Sequence, residues 1–353
     1  MLIASGAAMQ GASNAYTRKV VVAVAAATFA FLLVAALYMA SHVLLLIFGG
    51  VLLATLLRGL GDLVSQYTRI PPGWSVLLVG GVLVLVFGWG GWYLSAEIAG
   101  QFDELGRNMA AMWQQVRGLL GKYSWGRDLL TSLGEYQLDS GNVGAIGKVI
   151  GATLGGVSGL VLSVIIGVYV AADPGLYFNG VLRLVPLGYR PRAEEILREL
   201  SGALRRWLMG TLLLMTFVGT LITIGLYLLG IPLALALGLI MFVLEFIPYL
   251  GPILAALPAV LIASTLGPQE VLWVVLLYWG VQSLEGYVLS PLVFQRSVDI
   301  PPLVTMSAQV VLGTMLGVLG IVFATPLAAC ALVLVNRVYI EDVLGDRRKQ
   351  REA

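Results

Sequence analysis

The stretch from Leu226 to Ser264 constrains the fold most, because it is a long apolar run that is interrupted near its middle. A helix needs about 20 apolar residues to cross a membrane, so this run is too long for one simple crossing. The interruption combines Glu245 with prolines and glycine, which weaken helical hydrogen bonding. Broken backbone at membrane depth is tolerated only where protein or a water-filled cavity surrounds it. The breakers are Pro248, Gly251, Pro252 and Pro258.

The composition predicts an all-α polytopic membrane protein. Hydrophobic residues make up 59% of the chain and charged residues 11%, whereas soluble domains carry roughly 25% charged residues. We expect 1–353 to form a single integral membrane domain with about eight membrane segments. Two of them, around 232–266 and 302–338, are overlong and are expected to be broken or re-entrant. The other six are Val20–Ala40, Val43–Leu57, Trp74–Ala96, Val149–Ala172, Trp207–Leu229 and Val271–Leu289.

Two residues, Ser41 and His42, separate the first two apolar segments. We expect them to form the turn of a tight helical hairpin. His42 is the only histidine and Cys330 the only cysteine, so an internal disulfide, a cysteine-based metal cluster and an H-E-x-x-H site are excluded. The sequence has no P-loop motif and no basic tract typical of nucleic-acid binding, so neither an ATP-driven pump nor an enzyme is predicted.

Two polar segments predict the orientation of the chain. Segment 173–206 has six basic residues against four acidic ones. Because Lys and Arg are enriched in cytoplasmic loops, we place this segment, an amphipathic helix beginning near Pro191, and both termini in the cytoplasm. Segment 97–148 is then an extracytoplasmic helical insert. Apolar residues at helical spacing over 102–120 indicate an amphipathic helix, for which we favour packing against spans or protomers over a place in the membrane interface.

The second overlong run, within 302–338, resembles the first in its layout. Each run opens with Pro-Leu, turns through glycine and carries proline in its second arm. The pattern predicts a span plus a broken helical hairpin used twice, with 207–338 as a repeat-like transport core. Two hairpins would enter from opposite sides, as in inverted-repeat transporters. The alternative is that each run crosses once. The breakers of the second run are Gly313, Gly317, Gly320 and Pro326.

Polar side chains in the apolar segments are the candidate functional residues. Glu245 is the strongest, because an acid within a membrane segment is a functional-site hypothesis by default. Burial disfavours the charged form of a carboxyl group, so Glu245 suits binding and release of a proton, or Na⁺ binding with carbonyl oxygens. A structural role at a helix end is the alternative. Gln282 and Glu285 share one helix face, where they are expected either to form a polar wall of the site or to hydrogen-bond between helices. Arg296 and Asp299 are expected to pair in a loop.

Several ordered motifs lie between 204 and 330, and they are LRRWLMG, GIPLALALG, EFIPYLGPILAALPAVLIA, VQSLEGYVLSPLVFQRSVDIPPLV and LGVLGIVFATPLAA. Together they resemble the autoinducer-2 exporter family of bacterial and archaeal membrane proteins. The resemblance implies an inner-membrane protein with about eight segments and cytoplasmic termini. It also implies export of autoinducer-2 or Na⁺(Li⁺)/H⁺ antiport, and homo-oligomers, with a pentamer among the forms. Glu245 falls in the family's most recognisable motif.

These observations favour a secondary transporter or exporter of a small polar solute or signal molecule. Glu245 is the expected ion or proton carrier, with Na⁺ or H⁺ as coupling ion and no other cofactor. Gln282 and Glu285 are the expected polar wall. A Na⁺(Li⁺)/H⁺ antiporter is the first alternative, and a non-transporting scaffold that presents the 102–120 and 193–208 helices to partners is the second. The residues expected to shape the unwound backbone are Pro248, Gly251, Pro252, Gly317, Gly320 and Pro326.

Overall fold

A computed structural model describes residues 2–68, 70–71, 73–82, 85, 159, 161–294 and 300–346. Within these residues the chain is helical and contains no strand, which confirms the all-α fold. The chain divides into two compact units, Met1–Leu45 and Leu46–Ala353. The first unit is helical from Leu2, and the second contains the remaining helices.

The helices are labelled in chain order, and the labels are kept throughout. They are α1 (Leu2–Thr68), α2 (Gly73–Val82), α3 (Val161–Ala172), α4 (Pro174–Arg183), a 3₁₀ turn (Leu187–Tyr189), α5 (Arg190–Leu228), α6 (Ala234–Leu244), α7 (Leu250–Leu266), α8 (Pro268–Leu284), a π-helix (Glu285–Leu289), α9 (Ser290–Phe294), α10 (Pro302–Leu334) and a second π-helix (Val335–Val343).

The helix α1 runs without a turn through Ser41 and His42, so the predicted hairpin at this joint is wrong. Serine and histidine each cost a few tenths of a kcal/mol in a helix, far less than proline. The apolar residues on both sides therefore continue one helix. Without this hairpin, the number of crossings no longer predicts a cytoplasmic N-terminus. That prediction now rests on Arg18 and Lys19 alone.

Four helical stretches in the described part are long and apolar enough to cross a membrane, and α3 and α4 pass the same test as a pair bent by 90°. The chain is a multi-pass membrane protein. The count of eight segments stays a prediction, because much of the third and fourth predicted spans, and all of 97–148, lie outside the described residues. The four stretches are Met39–Thr68, Leu187–Leu228, Pro268–Phe294 and Pro302–Val343.

The first overlong run folds into a helical hairpin, which we call the first hairpin. α6 has 11 residues and α7 has 17, so at 1.5 Å per residue α6 is about 16 Å long and cannot cross the hydrocarbon alone. The chain reverses between Glu245 and Tyr249. A Cβ atom added to Gly251 would overlap the carbonyl oxygen of Leu244. The two arms thus meet at a position where glycine alone fits.

The second overlong run also reverses, and we call α10 the second hairpin. Gly317 has φ 67° and ψ −149°, a conformation that is essentially confined to glycine. A Cβ atom on Gly313 would lie 2.7 Å from Cγ1 of Ile321, and one on Gly320 would overlap the Leu312 carbonyl oxygen. These partners are eight residues apart, which would separate them by about 12 Å in a straight helix. The prediction of two broken segments is confirmed.

The two hairpins begin at opposite ends of α5. The first hairpin follows the C-terminal end of α5 directly. The second hairpin ends in the π-helix Val335–Val343, which is joined to the N-terminal end of α5 by ion pairs. Arg192 contacts Glu341 at 2.8 Å and Asp342 at 3.1 Å, and Arg337 contacts Glu199 at 2.5 Å. Because α5 has 39 residues, its ends are about 58 Å apart, which gives the hairpins opposite directions.

Buried apolar side chains of α5, α6, α7 and α8 fix the first hairpin in place. Ile222 and Leu226 of α5, Met241 of α6, Ala259 of α7 and Val274 of α8 belong to one cluster, and each has 2% or less of its surface exposed. Complete burial of a large aliphatic side chain contributes about 1.5–3 kcal/mol. The tip of the first hairpin is therefore held by a rigid frame.

We expect Arg192→Ala to destabilise the protein by about 1–2 kcal/mol, since Arg192 is only 29% exposed and bonds carboxylates on a different helix. The figure allows for partial screening by water. Thermal unfolding in detergent measures the change. Arg206→Ala is the matched control, because Arg206 is exposed on the same helix and forms no ion pair with the described residues. Equal melting temperatures for the two variants would contradict the role of the Arg192 contacts.

Candidate functional site

The tip of the first hairpin meets the first arm of the second hairpin through a hydrogen bond. Nε2 of Gln309, in the first arm of the second hairpin, donates to the carbonyl oxygen of Pro248 at 2.8 Å. Gln309 is 3% exposed, so this bond is shielded from water. Pro248 lies in the non-helical tip of the first hairpin. The two segments enter from opposite directions, and the tip of the first therefore ends against the first arm of the second.

Glu245 lies at this meeting point, at the C-terminal end of α6. Its N–H donates to the carbonyl of Met241 at 2.9 Å, which completes the last helical turn. The residue is 8% exposed, and its Oε2 is buried without a hydrogen-bond partner among the described residues. The next residue, Phe246, packs edge-on against Trp207 with ring centroids 5.6 Å apart. Packing of Phe246 on α5 thus holds Glu245 inside the protein.

The predicted polar wall lies beside Glu245. Gln282 is close to the Glu245 carboxyl group, and Glu285 is within electrostatic range of it. Nε2 of Gln282 is buried and has no partner in the described part of the chain. Oε1 of Glu285 accepts a hydrogen bond from Ser290 Oγ at 2.5 Å. The structure therefore brings the three predicted polar residues together.

Glu285 begins a π-helix that ends at Leu289. Such π-segments inside α-helices are frequent at functional sites, because the extra residue per turn re-aims side chains. Here the segment places Ser290, five residues on, within reach of the Glu285 carboxylate. The apolar periodicity of this span contains no sign of the change in helix type.

The backbone breakers have distinct places in the structure. Pro248 lies in the tip, and Pro252 lies in the first turn of α7, where proline is tolerated. Tyr249, which was not predicted, has φ 66° and ψ −50°, a strained conformation for a residue with a side chain. Two prolines correct the expectation of a break. Pro258 lies inside α7, and Pro326 lies inside the helical second arm of the second hairpin, nine residues beyond the break at Gly317.

Sequence reasoning missed three polar residues of the second hairpin, because it considered charged groups first. Thr305, Gln309 and Thr325 are each 4% exposed or less. Oγ1 of Thr325 is buried without a partner among the residues that the structure describes. Thr305 and Gln309 are four apart, on one helix face, in a run that is otherwise apolar. That spacing was a usable signal. The predicted pair Arg296 and Asp299 lies outside the described residues.

The site joins a buried acceptor at Glu245 with a buried donor at Gln282. Such an arrangement suits a small polar solute or a cation bound by oxygens. No group of three or more His, Cys, Asp or Glu side chains that could hold a metal ion occurs in the described residues. A cavity of about 370 Å³ lies elsewhere, lined by α1, α2 and α3, and contains none of these residues.

Gln309→Leu is expected to destabilise the protein by about 1–3 kcal/mol, since it removes a donor from a buried carbonyl group. Thermal unfolding in detergent measures the loss. Gln269→Leu is the matched control, because Gln269 is exposed in the first turn of α8. A variant at position 309 as stable as the control would show that the hydrogen bond from Gln309 to Pro248 contributes nothing to stability.

Comparison with known proteins places these features in context. The model of one family, described as "AI-2E family transporter", matches residues 27–340. "Putative transport protein YrrI" of Bacillus subtilis is 35% identical over 167 residues, 47% of each chain. "Putative transport protein YueF" of the same organism is 34% identical over 161 residues, 46% of this chain and 44% of the relative. A "Putative transport protein" of Thermotoga maritima is 24% identical over 222 residues, 63% of this chain and 67% of the relative. The alignments with the two Bacillus proteins span about half of their length.

Proposed function

We propose, from the premise that the chain belongs to the AI-2E family of transporters, that it is a secondary transporter or exporter of a small polar solute, such as a signal molecule of the autoinducer-2 type. The solute binds where the tip of the first hairpin meets the first arm of the second hairpin. Glu245 carries the coupling ion or proton, and Gln282 and Glu285 form the polar wall of the site. Nothing in this proposal requires an enzymatic step.

One observation carries the proposal: a buried carboxyl oxygen without a partner, at the junction of two broken membrane segments. A buried polar atom without a hydrogen bond costs about 1–3 kcal/mol. Such a cost is retained where a ligand, ion or proton satisfies the atom during function. Oε2 of Glu245 and Nε2 of Gln282 are both in this condition within the described residues.

The location of the protein is part of the proposal. We place it in the inner membrane, with 173–206 and the C-terminus in the cytoplasm and 97–148 outside, because Lys and Arg mark cytoplasmic segments. The contacts of Arg192 with Glu341 and Asp342 support a common side for the start of α5 and the C-terminal end. The N-terminus is placed in the cytoplasm by Arg18 and Lys19. Homo-oligomers, among them a pentamer, follow from the family resemblance.

A Na⁺(Li⁺)/H⁺ antiporter is the second candidate function. It is favoured by the two carboxyl groups, Glu245 and Glu285, which lie within electrostatic range of each other. Hard cations prefer carboxylate and carbonyl oxygens as ligands, and two acids in one site can exchange a cation for protons. In this alternative the cation is the cargo, while the residues of the site are unchanged.

Flux into vesicles that contain the purified protein tests the proposal. Labelled small polar solutes are followed together with Na⁺ and Li⁺, and an internal dye reports pH. Solute movement above that of empty vesicles supports the exporter, and Na⁺-dependent proton flux without solute movement supports the antiporter. No flux of any kind across the panel, with folded protein in the membrane, would favour the non-transporting scaffold.

A further inference from the structure

The chain turns by 90° between α3 and α4. The carboxyl end of α3 is fixed by Arg58 of α1, whose Nε donates to the carbonyl of Ala171 at 2.9 Å and whose Nη2 donates to that of Ala172 at 3.3 Å. Asp173 then caps α4 by accepting from the N–H of Leu176 at 3.1 Å. The charged side chains of Arg58 and Asp173 both lie at this bend. This level therefore marks the edge of the hydrocarbon.

Because α3 is an apolar segment along α1, a helix at a right angle to it lies near the plane of the membrane. α4 has 10 residues, about 15 Å in length, so it is too short to cross. Its position at the level of Asp173 places it between the hydrocarbon and the water. Because of this bend, one side of α4 faces α5 and another side faces away from the protein.

The outward side of α4 is apolar and uncovered. Phe178 faces α5, where the guanidinium of Arg198 lies 5.6 Å from its ring centroid. A separate stripe on the helix contains Tyr177, Val181 and Leu184, which are spaced four and three residues apart. Each is at least 40% exposed, and Leu184 is 86% exposed. The stripe continues into the following turn. Its exposed apolar residues are Leu187 and Tyr189.

The charge of this segment is basic. Residues 174–193 contain Arg183, Arg190 and Arg192 and no acidic residue. Arg190 donates to the carbonyls of Val185 and Arg183, which closes the end of α4. The side chain of Arg183 is exposed and forms no ion pair with the described residues. A cation beside an apolar stripe suits the boundary between acyl chains and anionic headgroups.

We propose that α4 is an interfacial anchor whose apolar stripe inserts into the acyl chains of the adjacent leaflet, while Arg183 binds an anionic lipid headgroup. A second copy of the chain is a poorer occupant. Stable protein interfaces bury about 1,200–2,000 Å², and a ten-residue helix offers a strip of about 15 by 10 Å. The bilayer covers such a strip without a large complementary surface.

Spin labels on the full-length protein in vesicles test this anchor independently of any transport. Val181→Cys and, separately, Ser201→Cys are made in a Cys330→Ser background; Ser201 is exposed on α5 and is the control. Collisions of the label with oxygen, which enters the bilayer, and with a water-soluble nickel chelate are compared. We expect oxygen to dominate at Val181, at a depth of about 5–10 Å, and nickel to dominate at Ser201.

The lipid composition tests the headgroup contact. We expect nickel access at Val181 to rise when phosphatidylcholine replaces phosphatidylglycerol, and Arg183→Gln to cause the same rise in phosphatidylglycerol vesicles. Equal access in the two lipids overturns the headgroup contact. Nickel access at Val181 equal to that at Ser201 overturns the insertion. Exclusion of both reagents together with dipolar broadening between labels overturns it as well, because it shows a second copy on the stripe.

Discussion

Replacing Glu245 by glutamine is expected to lower transport by about 10- to 100-fold while the protein remains folded. Glutamine keeps the shape of the side chain but cannot ionise, so the site loses its carrier of charge. Hydrogen bonds to charged groups contribute about 1.5–3 kcal/mol, and each 1.4 kcal/mol corresponds to a factor of ten. The measurement is initial flux of the transported solute or cation in vesicles of equal protein content.

Glu270→Gln is the matched control for this experiment. Glu270 lies in the first turn of α8, so the substitution removes the same charge at a distance from the hairpin tips. We expect its flux to equal that of the wild type. Normal flux in Glu245→Gln would remove Glu245 from the mechanism. Loss of flux in both variants would mean that net charge, and not the buried site, controls transport.

Gly251→Ala is expected to destabilise the first hairpin by about 1–3 kcal/mol. The added methyl group would overlap the carbonyl oxygen of Leu244. That oxygen belongs to the backbone, so the arms themselves must separate, and overpacking of this kind typically costs 1–3 kcal/mol. The tip carries Glu245, so we expect transport to fall together with the melting temperature. Thermal unfolding in detergent and vesicle flux measure the two effects.

Gly280→Ala is the control for Gly251→Ala, because an added Cβ at Gly280 meets nothing within 4 Å. Alanine in an open helical position is neutral or stabilises by up to about 1 kcal/mol. Gly320→Ala should behave as Gly251→Ala does, since its Cβ would overlap the Leu312 carbonyl oxygen. A harmless substitution at Gly251 would show that the close approach of the arms is not required.

The sequence contained enough information to locate the central site. An acid within an apolar run, followed by prolines and glycine, predicted both the break and the importance of Glu245. The spacing of Gln282 and Glu285 predicted that they share one helix face. The break is confirmed, and the role of Glu245 stays a prediction. Both could be read from the sequence because an isolated charge and a missing backbone donor have large energetic costs in a membrane. Sequence patterns report such costs directly.

Other features could not be predicted from the sequence, because they depend on contacts between residues far apart in the chain. The hydrogen bond from Gln309 to Pro248 joins positions 61 residues apart, and apolar sequence does not specify which segments meet. Ser41 and His42 looked like a turn, but neighbouring apolar residues kept α1 helical. Pro326 looked like a break, whereas the positive φ of Gly317 made the reversal possible nearby.

The amino-acid sequence by itself determined that this is a helical membrane protein with two interrupted segments and one acid inside the first. Hydrophobicity, helix propensity and the cost of a buried charge act locally, so they can be read along the chain. The tertiary structure alone decided that the interrupted segments are hairpins from opposite ends of α5 and that the tip of the first, which carries Glu245, meets the first arm of the second. That decision rests on contacts between distant residues, because close approach at Gly251 and Gly320 depends on which backbone atoms the fold brings together.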